Sequence, residues 1–114
     1  QNSGMVNSER ASGSLFPMEI LMTNQYRRGY LFERKLLKKL LDEGADYVIR
    51  SAGSHGAVDV LAYYGNYAHA FQCQLDKYFP PAKIEAIREF GRVTGATVYL
   101  AWSDKGKVII EEAK

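Results

Sequence analysis

Apolar residues follow two different rhythms along this chain. Between Gly29 and Glu43, Leu31, Phe32, Leu36, Leu37, Leu40 and Leu41 recur at three- and four-residue steps, with Arg34, Lys35, Lys38 and Lys39 between them. That spacing predicts an amphipathic helix with one face against a core, and Gly44 follows as its left-handed C-terminal cap. The rhythm then shortens. Asp46–Arg50 reads as a short strand. Val58–Tyr64 and Ala68–Leu75 are apolar runs joined by Gly65-Asn66-Tyr67, which predicts a β-hairpin. Pro80-Pro81 opens a second helix, in whose first turn a missing amide hydrogen is no loss. Ile84, Ile87, Phe90, Gly91 and Val93 form its apolar side, and it runs to about Thr94 before Gly95. Thr97–Trp102 is continuously apolar, as a strand covered on both faces should be. Ser103–Gly106 turns the chain into a last strand, Lys107–Glu111. The order helix, strand, hairpin, helix, strand, strand predicts an α/β fold, one domain with a mixed central β-sheet flanked by helices.

Residues 1–24 show no sustained period and are rich in Ser, Asn and Gly. They read as a leader, non-native or disordered, ahead of a domain spanning 25–114. Their apolar patch, Leu15–Met22, is too short to span a membrane and lacks a basic signal-peptide flank. The rest is enough for one modest core. A domain of that size buries only about 60–65% of its unfolded surface, so self-association is a natural supplement. The chain carries a net charge of +2, which decides little. Clustering says more: Arg27-Arg28, Arg34-Lys35 and Lys38-Lys39 crowd the start of the domain, as a solvated helix face or as a match for a phosphate backbone. The single cysteine, Cys73, excludes an internal disulfide and a thiolate zinc cluster, and sets a reducing, cytoplasmic location as the default.

The hairpin holds the candidate chemistry. Alternation puts Gln72 and Gln74 on one side of their strand, and Phe71, Cys73 and Leu75 on the other. Asp59, among Val58, Val60 and Leu61, is a carboxylate in an apolar partner strand. Opposite two amides, it points to a metal or phosphate site more than to a solvated surface. Glu33 lies beside the apolar stripe of the first helix. Leu36 and Leu37 stand where a basic partner one turn on would be, so it is either a surface ion-pair residue or a group reaching the core edge. Ser51–Ala57 is a small-residue loop whose Ser54, His55 and amides suit a phosphate oxygen. It lacks the Lys-Ser/Thr ending of a phosphate loop. His55 is a candidate general base or a plain polar loop residue.

Taken together, Tyr26-Arg-Arg-Gly29, Phe32-Glu33-Arg34, Val48–Ser54 and Val58-Asp59-Val60 resemble the archaeal Holliday junction resolvases, members of the PD-(D/E)XK nuclease superfamily. The likeness runs from Tyr26 to the final strand. It implies a restriction-endonuclease-like fold and a homodimer that binds four-way DNA junctions and cuts two opposed strands with Mg²⁺, or with Mn²⁺. The family's metal site uses a helix glutamate and a strand aspartate, matched by Glu33 and Asp59. It also uses a Glu-x-Lys pair, which reads Gln72-x-Gln74 here. By the resemblance, Glu33, Asp59, Gln72 and Gln74 are the catalytic positions, and Glu33, Asp59, the Gln72 amide oxygen and the Cys73 carbonyl the metal ligands. Arg34 and Arg50 match phosphate-contacting arginines. Arg27 and Arg28 lie in an arm that orders on DNA, and His55 or Lys77 stands in for the missing lysine. Phe90 belongs to the dimer face or to the core. Two functions stay open, a structure-specific DNA endonuclease with an altered motif and a junction-binding protein of the same fold that no longer cuts. A plain α/β domain with structural glutamines is the third.

Overall fold

Helix and strand appear in the expected order in a computed structural model of the chain, which describes residues 24–51 and 56–114. Helix α1 (Asn24–Asp42) precedes β1 (Tyr47–Arg50), β2 (Val60–Tyr64) and β3 (Tyr67–Gln74); helix α2 (Pro81–Thr94) leads to β4 (Thr97–Asp104) and β5 (Lys107–Glu112). The strands form one sheet in chain order. β3 and β4 pair in parallel and the other neighbours antiparallel. A parallel pair needs a long crossover, and α2 supplies it.

Each helix covers one face. Phe32, Leu36 and Leu40 of α1 pack with Val60, Ala62, Phe71, Cys73 and Ala101. Ile87 of α2 packs with Val58, Ala70, Val98 and Ala113. The alternation predicted for β3 is therefore real at Ala70, Phe71 and Cys73, and both faces of the strand are covered. Helix α1 already includes Asn24, five residues before the apolar pattern starts. Arg27 and Arg28 sit on exposed turns of this helix rather than in a separate arm. Nothing before Phe32 is buried on α1, and an exposed first turn has no apolar residue to register it.

The β2–β3 hairpin closes through Gly65 and Asn66, with Tyr64 opposite Tyr67. Gly65 takes φ +60°, the sign needed at the first position of a II′ turn, and its N–H donates to Asp46 Oδ2 at 2.7 Å. At the other end of the sheet Trp102 is buried and meets Phe79 edge-on, ring centres 6.1 Å apart. Gly91 sets how closely α2 lies on β4. A Cβ there would come within 2.8 Å of Val98 Cγ1 and 3.0 Å of the Ala96 carbonyl oxygen. Gly91→Ala should cost about 1–3 kcal/mol of stability, read as a lower urea midpoint; an unchanged midpoint would mean the helix shifts freely.

Candidate active site

Three chain segments meet where β2 begins and β3 ends. Asp59 immediately precedes β2. Its Oδ2 accepts the Cys73 N–H at 2.8 Å, while its backbone N–H donates to the Phe71 carbonyl. The carboxylate is thus pinned to β3 beside Gln72. Gln72 is 2% exposed, the one buried polar side chain among the described residues. Its Nε2 donates to the Ala57 carbonyl oxygen at 2.7 Å, which satisfies the donor end of a group too costly to bury unpaired. Oε1 is the end left to ligate. Glu33 approaches from α1, and its missing basic partner comes from the sheet: Arg50, the last residue of β1, donates from Nε to Glu33 Oε1 at 2.8 Å.

These groups line one open cleft of about 250 Å³, together with Tyr26, Gly29, Tyr30, Ser51, Cys73 and Lys83. Gln74 faces a smaller neighbouring cleft that shares Glu33 and Cys73. The Arg50 guanidinium lies over the Tyr30 ring, 4.7 Å from its centre, and the Tyr30 hydroxyl accepts from Arg34 Nη1 at 3.1 Å. One aromatic ring thereby holds both arginines expected to contact phosphate. Arg27, Arg28 and Lys77 are exposed and outside the cleft lining. Ser54 and His55 lie outside the described residues.

The electrostatics are those of crowded carboxylates. Burial pushes the Glu33 pKa above the usual carboxylate range; the Arg50 hydrogen bond pulls it back, and the Asp59 charge raises it further. Asp59 is also raised by burial, against its Cys73 hydrogen bond and the charges of Lys83 and Arg50. The Cys73 thiol is buried and its pKa pushed well up, so this residue serves the site through its backbone. Two half-buried carboxylates with an amide oxygen alongside are hard oxygen donors that suit Mg²⁺ or Mn²⁺ better than a soft metal. Among the described residues no group of three or more His, Cys, Asp or Glu side chains is gathered to hold an ion. The donor set fits a divalent cation, more weakly than a three-carboxylate site would.

The sequence model of the archaeal Holliday junction resolvase (Hjc) family matches residues 24–114. The chain belongs to this family. Among its Hjc relatives is the crossover junction endodeoxyribonuclease Hjc of Methanocaldococcus jannaschii, 36% identical over 92 residues, covering 77% of this chain and 68% of that protein. Among solved structures, the Holliday junction resolvase Hjc of Archaeoglobus fulgidus superposes with a TM-score of 0.63 at 27% identity, covering 75% of this chain and 73% of that one. The fold expected from the Hjc resemblance is thus the fold found. Several cleft-lining residues were not among the site residues expected from the sequence, Tyr30 and Lys83 among them. Tyr30 was legible only as a helix aromatic one turn before Arg34, and Lys83 carried no local signal.

Proposed function

We propose that this protein is a structure-specific, metal-dependent DNA endonuclease that resolves four-way junctions. Family membership supports the junction-resolving nuclease activity. The observation that carries the site assignment is the convergence of Glu33, Asp59 and Gln72 on one cleft that Arg50 also lines. Glu33, Asp59 and the Gln72 amide oxygen would hold the cation. When bound there, magnesium or manganese supplies Lewis acidity toward a phosphate oxygen and lowers the pKa of its water. The chain's own residues bind and orient the substrate. Arg34 and Arg50, steadied by Tyr30, position the DNA backbone by charge-assisted hydrogen bonds. Arg50 holds Glu33 through Nε, which leaves its terminal N–H groups to meet a phosphate. Arg27 and Arg28 extend the basic face along α1.

A homodimer fits the same reading. The half-buried Phe90 lines an apolar cleft of about 340 Å³ with Ile49, Val58 and Leu61 on the α2 side of the sheet, where Val93 is also exposed. A second copy covering this face would place two sites on opposed strands of a branched substrate. No described helix is long and apolar enough to cross a membrane.

The experiment is cleavage of an end-labelled four-way junction in Mg²⁺ and in Mn²⁺, beside a linear duplex of the same sequence. Paired nicks in the junction, with the duplex intact, are the expected result. Tight binding without nicks in either metal would make the protein a junction binder, as the Gln72-x-Gln74 motif allows.

A further inference from the structure

On the reading just given, the cleft has lost the lysine that the family motif places at position 74, and the fold offers a replacement from another element. We infer that Lys83, in the first turn of α2, supplies the positive charge that faces the scissile phosphate. Helix α2 runs back along β3, and Ile87 packs with Ala70 on the face that Gln72 shares by alternation. Stepping back from Ile87 to Lys83 moves one turn, about 6 Å along the helix. Stepping from Ala70 to Gln72 moves about 6.6 Å along the strand in the same direction. The two steps carry Lys83 over the catalytic end of β3, and its side chain lines the cleft with Asp59 and Gln72.

A further observation fits that place. Among the described residues Lys83 is exposed, and no ion pair engages its side chain. Lys77 lies on the exposed loop after β3, outside the cleft. During hydrolysis the water oxygen bonds to phosphorus as the bond to the leaving sugar oxygen breaks. One water proton passes to solvent, and the departing alkoxide takes one back. Lys83 exchanges no proton. Its ammonium offsets the negative charge that builds on the non-bridging oxygens, where a fixed cation is worth most.

Two readouts on the full chain test this. In single-turnover cleavage of a four-way junction with Mg²⁺, Lys83→Met should slow cutting by about 10²-fold and Lys83→Arg much less. Adding Gln74→Lys to Lys83→Met should restore part of the rate. In Ca²⁺, used as a binding probe, the salt dependence of junction affinity should lose about 0.9 from its logarithmic slope in Lys83→Met, the share of one phosphate contact. Parental cleavage or a parental slope in Lys83→Met overturns the assignment. If the parent protein binds junctions but never cuts them, the nuclease reading fails. The slope alone then decides whether Lys83 meets a phosphate.

Discussion

Replacing Asp59 with asparagine leaves a folded protein that binds a four-way junction and cuts it far more slowly. The side chain has two separable roles: Oδ2 accepts the Cys73 N–H, which pins the residue before β2 to β3, and its charge is one of two carboxylate charges in the cleft. Asparagine keeps an acceptor of nearly the same shape and removes only the charge. Losing one of two carboxylates should raise the barrier by about 3–4 kcal/mol, roughly 10²–10³-fold in rate. Affinity for DNA should hold or improve, because one negative charge leaves the path of the phosphates. Stability should hold too. Burial raises the Asp59 pKa in the folded state, so the native protein binds this proton more tightly than the unfolded chain. The contribution of this group to stability therefore falls as pH rises through the carboxylate range, and is least favourable at neutral pH. The asparagine variant escapes that loss and should melt no lower than the parent at pH 7. Asp59→Ala, which strands the Cys73 N–H, should cost about 1–3 kcal/mol. An Asp59→Asn protein that cuts at the parental rate would remove this residue from the chemistry altogether.

Gln72→Glu, which restores the carboxylate of the family motif, should destabilise the metal-free protein by about 2–4 kcal/mol. The amide at 72 is not a passive substitute, since its Nε2 donates to the Ala57 carbonyl in a position 2% exposed. A glutamate has no hydrogen to give there unless it is protonated. It would also join two carboxylates whose own pKa values are already raised. Divalent cation offsets this cost. An ion that binds only the folded state adds about 2.7 kcal/mol at a hundredfold excess over its dissociation constant. Thermal melts in EDTA and in Mg²⁺ should therefore differ far more for Gln72→Glu than for the parent. Equal melting of the two proteins in EDTA would show that the Ala57 hydrogen bond does not hold this corner.

The hydrophobic rhythm made the elements legible because burial and period coincide in them: Phe32, Leu36 and Leu40 are the buried stripe of α1. The helical turns of α1 before Gly29 were hidden because they bury nothing. Within the site, the meeting of Asp59 with Gln72 could be read from the hairpin, since antiparallel register follows from a short turn. The Glu33–Arg50 pair and the approach of Lys83 could not. The first needs α1 laid against an edge strand 17 residues on, and the second needs the return of α2 along β3. Both are products of tertiary packing with no local period to betray them.

The contact between Trp102 and Phe79 gives the molecule a built-in optical window. Trp102 is the chain's only tryptophan, and Phe79 sits in the link that enters α2, four residues from Lys83. Any substrate that draws the head of α2 inward must change the packing around that indole. Its ultraviolet emission, unobscured by a second fluorophore of its kind, would report such a movement in real time and without a label.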